Sequence, residues 1–223
     1  MPDPSASFAV KDCDLLAIAT GRKAQNLREF RDVLQTVHLG SIYHHFWGGR
    51  LRPQFDDPEF NNDFAAWAMH GLHDARLAEQ LAMIDPTQFP DLEALRAEVL
   101  DVVEARLDQS EHVLWARADQ EFPFIRSQVV VFDTKRVIRA PEELAEQVPH
   151  LSLGSVFYHF IEARRRREDR ADDFRGWLAG LGEEHSGLCG LLAGVDYYFE
   201  PLSALRARLA ALFRDHFGRK EPR

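Results

Sequence analysis

Two histidines, His45 and His159, are the residues whose type and position best suit chemistry. They occupy the same place in two near-copies of one octapeptide, LGSIYHHF at 39–46 and LGSVFYHF at 153–160, at an offset of 114 residues. Histidine changes charge near neutral pH and serves as acid, base or metal ligand. One interpretation makes the pair binding groups that face a shared cleft. The other makes each a buried histidine that fixes packing, held by the helix cap or by Asp63 or Asp173.

Arginines recur behind both histidines at the same offset. Arg50 matches Arg164 and Arg52 matches Arg166, and the second copy extends the set to the run 164–167. Guanidinium groups suit carboxylate and phosphate, so this pattern favours an anionic ligand. The alternative is a solvated helix end that complements the helix dipole and pairs with neighbouring acidic residues. The predicted ligand-binding residues are His45, His159, Arg50, Arg164, Arg52 and Arg166.

A metal site is the next possibility, since several histidines of the first copy lie close in sequence. His44 adjoins His45, while His70 and His73 are three apart on a predicted helix, a spacing at which two side chains can share one ion. The second copy lacks this pair, and neither HExxH nor a Glu-x-x-His repeat occurs. We therefore predict no metal and no other cofactor. A metal-assisted or acid/base enzyme using these histidines with nearby aspartates of the first copy (Asp63, Asp74 and Asp85) stays open as an alternative.

Nucleophilic catalysis has no sequence support. Ser41 and Ser155 lie in no GxSxG elbow, and the glycines at 48–49 belong to no phosphate-binding loop. Cys13 and Cys189 are far apart and form no CxxC pair, which is typical of a reduced, cytoplasmic protein. Catalytic residues are thus unknown from the sequence, and the question of enzymatic activity is open.

Composition narrows the partners. The chain of 223 residues carries a formal charge of −9, which argues against nucleic acid and anionic membranes as main partners. No signal peptide is recognisable, and no apolar run approaches the ~20 residues that a membrane helix needs. We expect a soluble cytoplasmic protein whose oligomeric state the sequence does not reveal.

The elements that position these residues follow the same duplication. Short strands are predicted at 8–20 and 127–134, each closed by a turn signal at its threonine. Apolar spacing predicts helices at 26–37, 91–107, 141–148 and 201–213, and two more that begin at DFAAW and DFRGW. Gly-Ser at 40–41 and 154–155 predicts the start of the histidine-bearing helix, with serine as its N-cap.

The resulting fold prediction is mainly α. It consists of two homologous helical modules, each with one short strand and about four helices, related by a pseudo-twofold axis. The predicted boundaries are a tail at 1–7, the first module at 8–107, a linker at 108–123, the second module at 124–217 and a tail at 218–223.

The motifs SIYHHF and NNDFAAW, with their echoes SVFYHF and ADDFRGW, resemble an uncharacterised archaeal and bacterial family, catalogued as domain of unknown function 5752. The resemblance spans about Phe8 to Phe213. It implies a duplicated, cytoplasmic, helical protein of unknown activity, and it transfers no catalytic residues.

Together these observations predict a non-enzymatic binding or adaptor protein that holds an anionic small molecule or an acidic partner segment in a cleft between the modules. Two alternatives remain: the metal-assisted or acid/base enzyme, and a purely structural oligomerisation module.

Overall fold

The computed structural model describes residues 7–51, 59–109 and 117–218, and these form two long strands and ten helices. The strands are β1 (Phe8–Ala24) and β2 (Phe122–Ile138). Between them lie α1 (Leu27–Leu34), α2 (Leu39–Trp47), α3 (Asp63–His70), α4 (Ala75–Ala82) and α5 (Leu92–Asp108). After β2 come α6 (Leu144–Gln147), α7, α8 (Asp173–Leu181), α9 (Ser186–Ala193) and α10 (Leu202–Gly218). The helix α7 is continuous, with α-helical Leu153–Val156, π-helical Phe157–Glu162 and α-helical Ala163–Arg166.

The two strands pair with each other as one antiparallel, two-stranded sheet. The Thr20 hydroxyl donates to the carbonyl of Phe124, and the Thr134 hydroxyl donates to the carbonyl of Val10. Both contacts fit one register, so the ladder between them has no inserted residue. The prediction of a mainly α fold with one short strand per module is therefore wrong: the fold is mixed α/β, and strand pairing joins the first strand to the second.

Each strand runs past its predicted C-terminal end because its turn signal is a bulge, not an end. Gly21 and Lys135 have positive φ values of 73° and 61°. The hydroxyl of the threonine before each of these residues accepts a hydrogen bond from the main-chain N–H of the arginine after it. The distance is 3.1 Å from Arg22 to Thr20 and 3.2 Å from Arg136 to Thr134. A residue in the left-handed region lets a strand bulge and continue. The strands accordingly run on to Ala24 and Ile138.

The chain divides into two compact units whose boundaries fall inside the strands. One unit is the middle of the sequence, Leu15–Gln128, and is called the inner unit for that reason alone. It contains α1–α5 and one half of each strand. The outer unit comprises the described part of Met1–Asp14 and of Val129–Arg223, with α6–α10 and the other strand halves. The predicted module boundaries, 8–107 and 124–217, stay a prediction, and seven of the sixteen residues of the predicted linker, 110–116, lie outside the described residues.

Aromatic side chains form the centre of the inner unit. The ring centroid of Phe30 in α1 lies 5.0–5.4 Å from those of Phe64, Trp67, Phe122 and Phe124. Side chains of α1, α3 and β2 therefore meet at this ring. All five rings are buried. Burial of such large apolar surfaces is the main stabilising term of a core.

The outer unit packs its strand in a similar way. Phe8 of β1 stacks on Phe174 with a centroid separation of 5.1 Å and lies 5.5 Å from Trp177. Phe174 in turn meets Phe213 of α10 edge-on at 5.6 Å. Across the described residues, no helix combines the length and apolar character needed to cross a membrane.

The bulges give a matched test of backbone strain. A side chain at Gly21 would meet no neighbour within 4 Å, so only its positive φ opposes substitution. We expect Gly21→Lys to cost about 1 kcal/mol of unfolding free energy, since left-handed backbone is unfavourable with a Cβ. Lys135→Gly should raise the urea midpoint. Lys23→Gly, in ordinary strand conformation, is the control and should lower it; a Lys135→Gly variant that also loses stability would contradict this account.

Candidate functional site

Ser41 and His45 of α2 hold both main-chain groups of one strand residue, Ile125. The Ser41 hydroxyl donates to the Ile125 carbonyl at 2.8 Å, and the Ile125 N–H donates to His45 Nε2 at 3.2 Å. A spacing of four places the two side chains on one helical face. We call this arrangement the inner clamp. It satisfies a strand edge that would otherwise be unpaired.

The inner clamp fixes the proton position on His45. Because Nε2 accepts a main-chain N–H, the neutral ring carries its proton on Nδ1, which lies 2.9 Å from Asp63 Oδ2 and donates to it. The ring is buried, with 3% of its surface exposed. Both ring nitrogens are therefore engaged, and His45 could accept a proton at Nε2 only by releasing Ile125.

The outer clamp repeats the histidine contacts at an offset of 114 residues. The Lys11 N–H donates to His159 Nε2 at 2.8 Å, and His159 Nδ1 lies 2.8 Å from Asp173 Oδ2. Lys11 and Ile125 are themselves 114 positions apart. Each strand thus gives one residue to the histidine of the other sequence copy. Hydrogen bonds to Asp63 and Asp173 are what the sequence predicts if each histidine is a buried residue that fixes packing.

The two Gly-Ser pairs lie in the first turn of their helices, and neither serine is the N-cap. The N-cap prediction for Ser41 and Ser155 is wrong, because His38 and Ser152 cap their helices three residues earlier. This leaves the Ser41 hydroxyl available for Ile125. Gly154 is required by close approach: an added Cβ would overlap the carbonyl oxygen of Cys13 on the clamped strand.

The residue before each clamp histidine differs between the units. His44 lies in the inner unit, and its Nδ1 is 2.6 Å from the Ser127 hydroxyl. Tyr158 occupies the matching place and contacts Arg166, whose Nη2 donates to Asp173 at 2.7 Å. Arg166 therefore supports the carboxylate of the outer clamp. Its counterpart Arg52 lies outside the described residues, so that part of the ligand-binding prediction has no structural account.

Arg164 belongs to the outer unit, and its side chain is 13% exposed. Its Nη2 donates to Asp172 Oδ2 at 3.1 Å and to the carbonyl of Leu192 at 3.2 Å, and its Nε donates to the carbonyl of Phe160. Burial lowers the pKa of Arg164 and raises the pKa of Asp172, each partly offset by the other's charge. Charges held in so dry a place depend on each other.

In the inner unit, a single residue provides the hydrogen-bond donor for the corresponding carbonyl near a helix end. Asn62, at the position that Asp172 occupies, donates its own amide to the carbonyl of Leu81 at 3.0 Å. An aspartate has no such donor, so Arg164 supplies it in the outer unit. Arg50, which matches Arg164 in sequence, follows the end of α2, where its main-chain N–H donates to the Trp47 carbonyl at 3.1 Å.

The remaining arginines of the run are matched by acidic side chains. Arg165 pairs with buried Glu162, and Arg167 pairs with Asp169 through two hydrogen bonds of 2.9 and 2.7 Å. With Arg164 on Asp172 and Arg166 on Asp173, each of the four arginines has its own carboxylate. The run therefore offers less uncompensated positive charge than its sequence indicates.

The histidines named for metal binding separate into different environments. Exposed His70 contacts Glu59 at 3.0 Å, and exposed His73 contacts Asp119 at 2.6 Å. Among the described residues, His44, His45 and Asp63 form the only group of three or more such side chains whose potential ligand atoms all lie within 4.8 Å of one another.

The hydrogen-bond directions in the inner clamp are unfavourable for metal binding by His45. A histidine that binds metal through one nitrogen normally donates the proton on the other to an acceptor. If His45 bound an ion through Nδ1, its Nε2 proton would face the Ile125 N–H, which is a donor. The ion would have to displace the strand.

Sequence reasoning missed Lys11 and Ile125, the strand residues on which both clamps act. Their side chains give no signal, because the clamps bind main-chain atoms. Their common offset of 114 is the one available clue, and it becomes informative only when each histidine is paired with the other copy's strand.

These features define a mixed α/β protein of two compact units in which histidine clamps secure a two-stranded sheet. The chain belongs to the family of unknown function DUF5752, whose model matches residues 5–214. It is similar in fold to the solved structure of OrfY from Thermoproteus tenax, with a TM-score of 0.80, 25% identity and coverage of 94% of each chain. A search of curated proteins gives no match.

Reciprocal substitutions test the clamps. We expect His45→Ala to abolish protection of the Ile125 amide in hydrogen–deuterium exchange while Lys11 stays protected, because each amide has its own acceptor. His159→Ala should give the reverse pattern. Each variant is the other's control, measured by amide-resolved NMR under native conditions. Loss of both amides in both variants would instead indicate global unfolding, and loss of neither would refute the clamp.

Arg164 and Asp172 should be strongly coupled. We expect Arg164→Met to cost about 3–5 kcal/mol, since it leaves a buried carboxylate without its cation. In the Asp172→Asn background the same change should cost at least about 2 kcal/mol less, because the amide provides its own donor as Asn62 does. Urea denaturation of the four proteins measures the coupling. Arg167→Met, on the exposed pair, is the control and should cost about 0.5 kcal/mol or less.

Proposed function

We propose that the chain is a non-enzymatic binding or adaptor protein that presents the exposed residues 130–132 of β2 to a partner polypeptide. The observation that carries this proposal is the exposure of three consecutive apolar residues of β2. Val130, Val131 and Phe132 expose 36%, 46% and 51% of their surfaces. Val130 and Phe132 share one face of the strand and Val131 lies on the other, since side chains alternate along a strand. Exposed apolar surface is typical of protein interaction sites.

The two repeated histidines and the two cysteines are poorly placed for catalysis, which supports a binding role over a catalytic one. His45 and His159 use both ring nitrogens in the clamps. Burial raises the pKa of the Cys13 thiol to about 12, with Asp12 and Glu162 adding to the shift. Burial also raises the pKa of Cys189. Neither thiol is a ready nucleophile at neutral pH.

The anionic ligand inferred from the sequence receives less support than an apolar partner. Arg164 and Arg166 bind carboxylates of their own unit, as described above. Binding by Arg50 and Arg52 stays a prediction. Thermal-shift assays with inorganic phosphate and pyrophosphate test it directly.

One observation favours a second candidate, the metal-assisted enzyme: the proximity of His44, His45 and Asp63. Metal analysis of the purified protein separates the two functions. Stoichiometric zinc, iron or manganese that is lost in His45→Gln would support the enzyme and contradict the adaptor.

A site-specific photo-crosslinker tests the adaptor. Placed at Phe132 in cells of the source organism, it should capture one partner, identified by mass spectrometry and then shown to bind with purified components. The matched control is Leu191, which lies in the same unit and is 55% exposed. Equal capture at both positions, or capture at neither, would contradict the proposal. Capture of another copy of the chain alone would favour the oligomerisation module.

A further inference from the structure

We infer that the outer edge of β2 at Val129 and Val131 is a docking edge for an extended, apolar segment of another protein, with basic and not acidic flanking residues. This inference rests on the proposed function and specifies its partner. The docking edge is defined as residues 129–132, which belong to the outer unit and carry neither charge nor proline.

The direction of the main-chain groups follows from the inner clamp. The N–H and C=O of Ile125 point to His45 and Ser41, away from β1. Along an antiparallel strand, successive residues alternate between facing the paired strand and facing away from it. Val129 and Val131 therefore direct their N–H and C=O groups outward, as Ile125 does. In the part of the chain that the structure describes, neither residue forms a hydrogen bond outside the strand pairing.

The docking edge has defined limits. Toward the N-terminus, the clamp takes up Ile125, and Ser127 contacts His44. Toward the C-terminus, the bulge at Lys135 interrupts regular strand geometry. The open stretch thus presents two N–H and two C=O groups, which match an extended segment of about five residues.

The side chains of this edge lack the usual protection. Exposed edge strands normally carry charges or proline, which discourage pairing with other chains. Here Val130, Val131 and Phe132 are exposed, and the nearest charge along the strand is Asp133. Extended main chain with apolar side chains is the partner that satisfies both the open hydrogen-bonding groups and the apolar surface.

Negative charge near the docking edge favours a partner segment with basic flanking residues. In the register set by Thr134 and Val10, Asp14 lies across from Val130 and Asp12 across from Phe132. Asp133 is already compensated by Lys11 at 3.4 Å and Lys135 at 2.8 Å. The chain as a whole carries −9, so a second copy is repelled at long range, whereas a segment with basic flanks is attracted.

Amide exchange tests the edge in the free protein. We expect Val129 and Val131 amides to exchange at least a hundredfold faster than the Val130 amide, which lies in the ladder, and the Ile125 amide, which is clamped. Equal protection of Val129, Val130 and Val131 would show that the edge is already covered and would overturn the inference.

Peptide binding tests the partner. The probe is acetyl-Lys-Val-Thr-Val-Thr-Val-Lys-amide, and its control replaces both lysines with glutamate. We expect the basic probe to bind, to slow exchange at Val129 and Val131, and to bind at least tenfold more tightly than the acidic one. Val131→Pro, which removes one outward N–H without touching the ladder, should weaken binding at least tenfold. Ala17→Pro, at the matching place in β1, is the control and should change it less than twofold.

Several outcomes would overturn the inference. These are tighter binding of the acidic probe, equal effects of the two proline variants, or no binding of either probe. Should Val131→Pro fail to fold, as judged by circular dichroism, Val131→Lys takes its place and must also weaken the basic probe. A wild-type dimer in analytical ultracentrifugation that Val131→Lys dissociates would assign the edge to a second copy. If Phe132 crosslinks a partner while both probes fail, the proposed function stands and strand docking does not.

Discussion

The hydrogen bond from a strand N–H to a histidine Nε2 is the interaction on which the rest of each unit depends. It requires an unprotonated Nε2, so the ring proton must reside on Nδ1 and needs an acceptor, which Asp63 and Asp173 provide. It also requires the helix to approach the strand closely, which the glycine before each serine allows. Three repeated positions, the histidine, the aspartate and the glycine, are thereby explained by one structural constraint.

The two units meet equal needs with different residues. A carbonyl near the end of a helix needs a donor in both, and Asn62 supplies it in one unit while Arg164 and Asp172 supply it together in the other. The second solution is the more demanding, since two charges must be buried as a pair. It also ties the Arg164 side chain to Asp172, whereas the position that matches Asp172 in the inner unit is Asn62.

Local patterns predicted most of the helices, because apolar spacing reflects burial of a helix face. They failed for the strands at Gly21 and Lys135, where a turn signal marks a bulge inside a longer strand. They also failed for the fold class, since the pairing of β1 with β2 joins residues more than a hundred positions apart. The histidines were found from their repetition, but their targets were not: Lys11 and Ile125 contribute main-chain atoms, which look the same in every sequence.

The strand edges are treated unevenly, and this links the architecture to binding. Covering an edge with side chains demands a buried histidine, its aspartate and a close-packed glycine, and the chain meets that demand at Lys11 and at Ile125. Four residues beyond Ile125, the same edge carries neither a clamp nor a charge, although its side chains are valine and phenylalanine. The uncovered part of the edge is available for pairing with a strand of another protein. The negative charge of the chain opposes pairing with a second copy of itself.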